Sequence, residues 1–233
     1  MLSLTALLVC TGASAQRRVS ADAQVKTVTG GKVSTVNKSV HCSANGRLIA
    51  VYTSPMHYYM ISNIKGECKF YFPDSNEVYT DVNQVYGSMN ELIPLFLSGR
   101  IDDLGLRSFG YRQQSSAVED GLLKKTFVNP SDANAATVEV VFRDYLPIFC
   151  KYTLPGGKVV NRTYYSDYRT EGTFTMPCRV TGIDYGDKKD STVTRTIYSN
   201  LKVDQPDSVL DFEIPSDARP LTVPKPGKAK KAR

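Results

Sequence analysis

The feature that most constrains this chain is its punctuation. Short runs rich in Val, Ile, Thr, Tyr and Phe recur, each closed by a cluster of Gly, Pro, Asn or Asp. β-Branched and aromatic residues favour a pleated surface, and runs of this length bounded by turn residues read as antiparallel strands. Leu48–Thr53 ends at Ser54-Pro55, and His57–Ile61 and Cys68–Phe72 follow. Pro73–Asn76 turns the chain into Glu77–Thr80. Further strands are expected at Leu122–Val128, Thr137–Phe142 and Ile148–Leu154, and Pro155-Gly-Gly157 opens Lys158–Tyr165. Val193–Val203 is the longest. Its one parity carries Val193, Ile197, Leu201 and Val203, the other Thr194, Thr196, Tyr198, Asn200 and Lys202. The first parity is therefore expected to face the core, as in a sheet wet on one side.

One segment departs from the β pattern. Ser88-Met-Asn-Glu91 has the form of a capping box, Leu92–Leu97 is apolar, and Gly99 supplies a stop. Pro94 would sit inside that helix, so a short or kinked one is expected.

The ends differ from the middle. Met1–Cys10 is apolar and Ala13-Ser-Ala15 matches a signal-peptidase site, so the mature chain is expected to start at Gln16. Two other readings stand beside this one, a buried N-terminal strand and a lipid attached to Cys10. No later stretch offers the ~18 uninterrupted apolar residues of a membrane-spanning helix. Of the net charge of +6, five positive charges lie in Pro224–Arg233. The remaining domain is nearly neutral, which gives no support to nucleic-acid binding. The tail itself reads as a solvated end or as weak contact with an anionic membrane surface. Expected boundaries are a signal peptide over 1–15, an N-terminal segment over 16–31, a domain over 32–220 and a basic tail over 221–233. Cys42, Cys68, Cys150 and Cys178 remain after the leader; they allow three disulfide pairings, or pack as small hydrophobes.

A search for chemistry finds none. His41 and His57 are the two histidines, and neither has Cys or acid at metal-ligand spacing. No G-x-S-x-G, H-E-x-x-H or C-x-x-C occurs, and Thr29–Ser34 lacks the first glycine of a P-loop. No enzyme, cofactor or metal is expected. The 14 Tyr and 9 Phe, with no Trp, point to large apolar sheet faces.

Two stretches carry a resemblance. The first runs Gly46-Arg-Leu-Ile-Ala-Val-Tyr-Thr-Ser-Pro55, then Tyr59–Asn63 and Phe70-Tyr-Phe-Pro-Asp74. The second runs Gly172-Thr-Phe-Thr-Met-Pro-Cys-Arg-Val180, then Tyr198–Pro206 and Leu210-Asp-Phe-Glu-Ile-Pro215. In order and spacing, roughly from Lys32 to Ala218, they resemble the LolA-like outer-membrane lipoprotein carriers. Ile49 stands where that family often has Arg, and Ala50 where it often has Trp. Gln16–Thr29 offers almost no counterpart to the family's N-terminal amphipathic helix.

The resemblance implies a mainly β fold, a strongly curved antiparallel sheet forming an incomplete β-barrel. A short helical lid would cover its apolar concave face. The parity that excludes Arg47 and Lys69 gives Leu48, Ala50, Tyr52, Phe70 and Phe72 as the cavity wall. Met60 is added although both parities of its strand are apolar. Leu92, Ile93, Leu95 and Phe96 would form the lid, and the small Ala50 suggests room. Such a cavity has a use. Each acyl methylene in water costs ~0.8 kcal/mol, so two 16-carbon chains cost about 25 kcal/mol. The implied function is a monomeric periplasmic carrier that hides lipoprotein acyl chains between an inner-membrane lipoprotein-releasing transporter and an outer-membrane acceptor. A lipid-binding sensor or regulator of the same fold, and a lipid-anchored structural envelope protein, are the alternatives.

Overall fold

The computed structural model describes residues 17–63, 65, 67–81, 91–186 and 190–221. The expected leader, Cys10, Ser88 and the basic tail beyond Leu221 lie outside these residues.

Among the described residues, fourteen strands form one large curved sheet, antiparallel but for a single short pair. From its centre β1 (Arg18–Thr29), β2 (Lys32–Ser43), β3 (Leu48–Ser54), β4 (Tyr58–Ser62), β5 (Cys68–Phe72) and β6 (Glu77–Asp81) step out to one edge. The chain then crosses to the opposite edge. There β7 (Arg112–Glu119), β8 (Leu122–Val128), β9 (Thr137–Arg143), β10 (Leu146–Thr153), β11 (Val159–Glu171), β12 (Phe174–Tyr185) and β13 (Ser191–Val203) step back until β13 pairs with β1. A two-residue strand, β14 (Arg219–Pro220), lies parallel on the outer edge of β6. Edges β14 and β7 are not joined, so the barrel is incomplete.

This topology dictates where the helix goes. A connection from one edge of a wide sheet to the other must cross a face, and α1 (Leu92–Leu97) lies on that crossing, packed on β1, β2 and β12. It is short, as expected. Glu91 is its N-cap and makes no side-chain cap hydrogen bond, so the helix starts later than the capping-box reading implies. Pro94 therefore falls in the first turn, where the missing N–H has no intrahelical partner to lose.

Apolar side chains collect on the inner face under the crossing, in two clusters. One joins Val19, Val40, Leu48, Ala50, Met60 and Met176 with Ile93 and Phe96 of α1. The other joins Phe127, Val138, Val140 and Phe142 of β8 and β9 with Cys150 of β10 and Leu106 of a 3-10 turn on the same crossing. Cys42, Cys68, Cys150 and Cys178 are all buried and unpaired, each packed as a small hydrophobe.

Two sequence expectations need correction. The expected boundaries set residues 16–31 apart from the domain, yet Arg18–Thr29 is β1, hydrogen-bonded on both sides at the centre of the sheet. Its alternation of Val19, Ala21 and Ala23 supplies three inner-face residues that are at most 3 % exposed. The second concerns β13. Tyr198, on the parity read as polar, is buried at 5 %, while Ile197 is 42 % exposed. The cause is a bulge: the register with β1 shifts between Ser20 and Asp22, and Asn200 has a positive φ of 52°. One extra residue reverses which parity faces inward, so Tyr198 lies inside before the bulge and Leu201 after it.

Candidate functional site

The inner face brings the expected wall and lid together. Leu48, Ala50 and Met60 are buried in one cluster with Ile93 and Phe96, and Tyr52, Phe70 and Leu92 pack against it. Met60 falls on the inner face because it pairs with Ala50 and Phe70 across the sheet. Phe72 belongs to a strip of rings on β3–β6. Tyr58 stacks on Tyr52 with centroids 4.2 Å apart and lies 5.6 Å from Phe72 and 6.2 Å from Phe70.

The open space is displaced from that wall. Leu48 and Ala50 are both 0 % exposed, so the room suggested by the small Ala50 is taken up by packing. A cavity of ≈ 380 Å³ opens beside it instead, between α1 and the central strands. Leu92 and Leu95 form its helical side; Val25, Val180, Thr196 and Tyr198 form its floor, with Tyr165 at one end. None of Leu48, Ala50, Tyr52, Met60, Phe70 and Phe72 lines it. α1 buries Ile93 and Phe96, and the expected lid residues Leu92 and Leu95 are left to face the space.

One charged pair borders this apolar space. Lys38 of β2 forms a salt bridge with Glu91, the residue that begins α1, and both side chains are largely buried, at 8 % and 13 %. The Lys38 ammonium also donates to the Tyr52 hydroxyl at 3.4 Å and lies 5.1 Å from its ring centroid. Burial, with the Glu91 charge adding to it, pushes the Tyr52 hydroxyl up to about 12. Burial raises Tyr165 and Tyr198 as well. All three rings therefore present neutral hydroxyls at ordinary pH. The pair balances its own charge, and the space sets the aliphatic side chains of Val25, Leu92, Leu95 and Val180 beside that pair, Thr196 and two tyrosines.

A second constellation lies on the outer face and was missed from the sequence. Ser39 and His41 share that face, two residues apart on β2. His41 Nε2 is 2.9 Å from Ser39 Oγ, and His41 Nδ1 is 2.7 Å from an Asp207 carboxylate oxygen. Asp207 is also the cap of the 3-10 turn Ser208–Asp211, accepting from the Val209 N–H at 3.2 Å. The C-terminal segment is fastened to the outer face around it. Arg47 donates to the Leu210 and Phe212 carbonyls at 2.8 and 2.6 Å, and the Phe212 ring stacks on Tyr59 at 4.3 Å. His41 and Asp207 are 166 positions apart, so spacing carried no signal. Among the described residues no group of His, Cys, Asp and Glu is arranged to hold a metal ion. No helix among them is long and apolar enough to cross a membrane.

No protein-family model matches the sequence, and no curated protein matches it. Solved structures do. A LolA superfamily protein of Nitrosomonas europaea superposes with a TM-score of 0.55 at 12 % identity, covering 84 % of this chain and 90 % of its own. A DUF1329 family protein of Desulfovibrio piger gives 0.56 at 15 %, with the same coverage. A Vibrio parahaemolyticus domain described as belonging to an outer-membrane lipoprotein-sorting protein gives 0.51 at 9 %, covering 80 % of this chain and 85 % of its own. The incomplete barrel is thus the fold of the LolA-like proteins.

Proposed function

We propose that this protein is an exported lipoprotein carrier of the envelope. It takes up acyl chains between α1 and the inner face and moves them from inner to outer membrane. The observation that carries this reading is the ≈ 380 Å³ space lined by Leu92, Leu95, Val25 and Val180. Its size falls within the ~300–1,000 Å³ of small-ligand pockets, and four aliphatic side chains share its wall with two tyrosines, Thr196 and the Lys38–Glu91 pair. The likeness in fold to a lipoprotein-sorting domain supports the same reading. A non-directional surface suits a carrier, because each methylene gains ~0.8 kcal/mol on entry and no bond must break on release. The partners in this reading are an inner-membrane transporter that releases lipoproteins and an outer-membrane acceptor. The space between the membranes is the periplasm, consistent with the A-x-A leader.

The test is binding of a fluorescent 16-carbon fatty-acyl probe, read beside urea unfolding. The unaltered protein is expected to bind it, and Val180→Asp and Leu95→Asp to bind at least about tenfold more weakly, since an unpaired carboxylate would be desolvated by the chain. Absence of probe binding by the unaltered protein, or undiminished binding by both folded variants, would overturn the proposal.

A further inference from the structure

On the face opposite the acyl cavity, the structure assigns to Ser39, His41 and Asp207 a second activity, hydrolysis of aliphatic acyl esters. The argument begins with who donates to whom. A carboxylate only accepts, so the 2.7 Å contact to Asp207 places a proton on His41 Nδ1. In the neutral ring Nε2 is then the acceptor, and Ser39 Oγ donates to it at 2.9 Å. This is the order of contacts that makes a serine hydroxyl a nucleophile: hydroxyl to imidazole, imidazole to carboxylate. The carboxylate is itself held by the Val209 N–H. His41 and Asp207 are 13 % and 11 % exposed, so the relay is sheltered while remaining reachable.

The surroundings specify a substrate. Ser39 and His41 lie where two hollows of ≈ 450 and ≈ 500 Å³ meet. One hollow is bordered by Asn200 and Lys202, the other by Val51, Tyr59 and Phe212. An acyl chain fits the apolar arm and a polar alcohol the other, with the ester carbonyl over Ser39. Asp22 borders both hollows and accepts from Asn200 at 2.7 Å, and Lys202, which borders the same hollow as Asn200, is the cationic side chain there that could meet a developing oxyanion.

The reaction balances without any further reagent. Ser39 Oγ adds to the ester carbonyl carbon as its proton passes to His41 Nε2. The ester C–O bond then breaks and the departing alcohol oxygen takes that proton, leaving an acyl group on Ser39. Water adds to the acyl carbon and gives a proton to Nε2. The C–Oγ bond breaks, Oγ recovers the proton, and a carboxylic acid leaves.

The experiment uses the full chain with p-nitrophenyl octanoate and an alkyl fluorophosphonate. Turnover is expected, with mass spectrometry finding the phosphonate on Ser39. Ser39→Ala, purified in parallel to exclude a contaminating esterase, should lose about 100-fold or more of the rate and all labelling. Asp207→Asn should lose rate while keeping its thermal midpoint. Acyl-probe binding in the inner cavity should be unchanged in Ser39→Ala, which separates failure of this inference from failure of the carrier reading. If the folded unaltered protein neither turns over the ester nor takes label at Ser39, the relay merely fastens the 3-10 turn and the inference is overturned. Ester turnover that survives in Ser39→Ala overturns it equally.

Discussion

The two faces of one sheet are built from the same strands and behave as different materials. On β2, Lys38, Val40 and Cys42 turn inward and Ser39 and His41 outward, a consequence of period-two geometry alone. The inner residues are sealed: Val40 is 0 % exposed, and even the Lys38 charge is paired and covered. The outer residues are covered only in part, by a C-terminal segment held through hydrogen bonds and one ring stack. Stability should therefore reside in the inner face, where each perturbation meets packed neighbours. The outer face can carry a polar constellation at little cost to folding.

The sharpest way to break that contrast is a charge in the inner wall. Leu48→Glu places a carboxylate where a fully buried side chain stood, and a loss on the order of 4 kcal/mol is expected from urea unfolding. The resemblance places Leu48 in a cavity wall, and the side chain is completely buried among packed neighbours. A loss below about 1 kcal/mol would show that this wall is open to water.

Next in size is the buried pair. Lys38→Met leaves the Glu91 carboxylate covered and unpartnered, at an expected cost of about 3 kcal/mol. The double variant Lys38→Met, Glu91→Gln should recover most of it, because the penalty lies in the stranded charge rather than in the lost attraction. If both variants lose equally, the pair is held by packing instead.

Alkaline pH probes the inner face without mutation. Burial pushes the Cys150 thiol from 9.0 up to about 12 and the Cys68 thiol up to about 11. Below pH 9 both folded and unfolded chains hold these protons, and the burial contributes in full. Above it the unfolded chain releases protons that the folded chain keeps, so stability falls as pH rises toward 11 and 12. A drop on the order of 2 kcal/mol between pH 8 and pH 10 is expected in the urea midpoint. Cys150→Ser together with Cys68→Ser should lessen the slope, and the Cys42 and Cys178 thiols, also raised by burial, should carry what remains.

The outer face should give the smallest effects. Asp207→Ala removes the cap of the 3-10 turn and a partner of His41, for about 1 kcal/mol. Ser39→Ala should stay within about 0.5 kcal/mol, as at other partly exposed positions. A large loss from Ser39→Ala in thermal unfolding would mean that the outer constellation is structural, and that the two faces are not so different.

Much of this was legible in the chain itself. β-Branched and aromatic runs closed by Gly, Pro and Asn marked nine strands within a residue or two at most ends, because turn chemistry and strand preference are local. Exclusion of Arg47 and Lys69 from an apolar face placed Leu48, Ala50, Tyr52, Phe70 and Phe72 together, since parity is fixed wherever a strand is regular. The fold resemblance held for the same reason: order and spacing of strands survive where identity falls to 9–15 %. Tertiary structure decided the rest. The bulge at Asn200 reversed the inward parity of β13, and no composition of Val193–Val203 announces one extra residue. The pairing of β13 with β1 drew Arg18–Thr29 into the centre of the sheet, a contact between the two ends of the chain. The edge-to-edge crossing of α1 filled the space over Ala50 and opened one beside Val180. Meeting across 166 positions gave His41 its carboxylate. Each depends on where distant strands come to lie, and local sequence encodes strand against turn but not the partner that a closing sheet brings opposite.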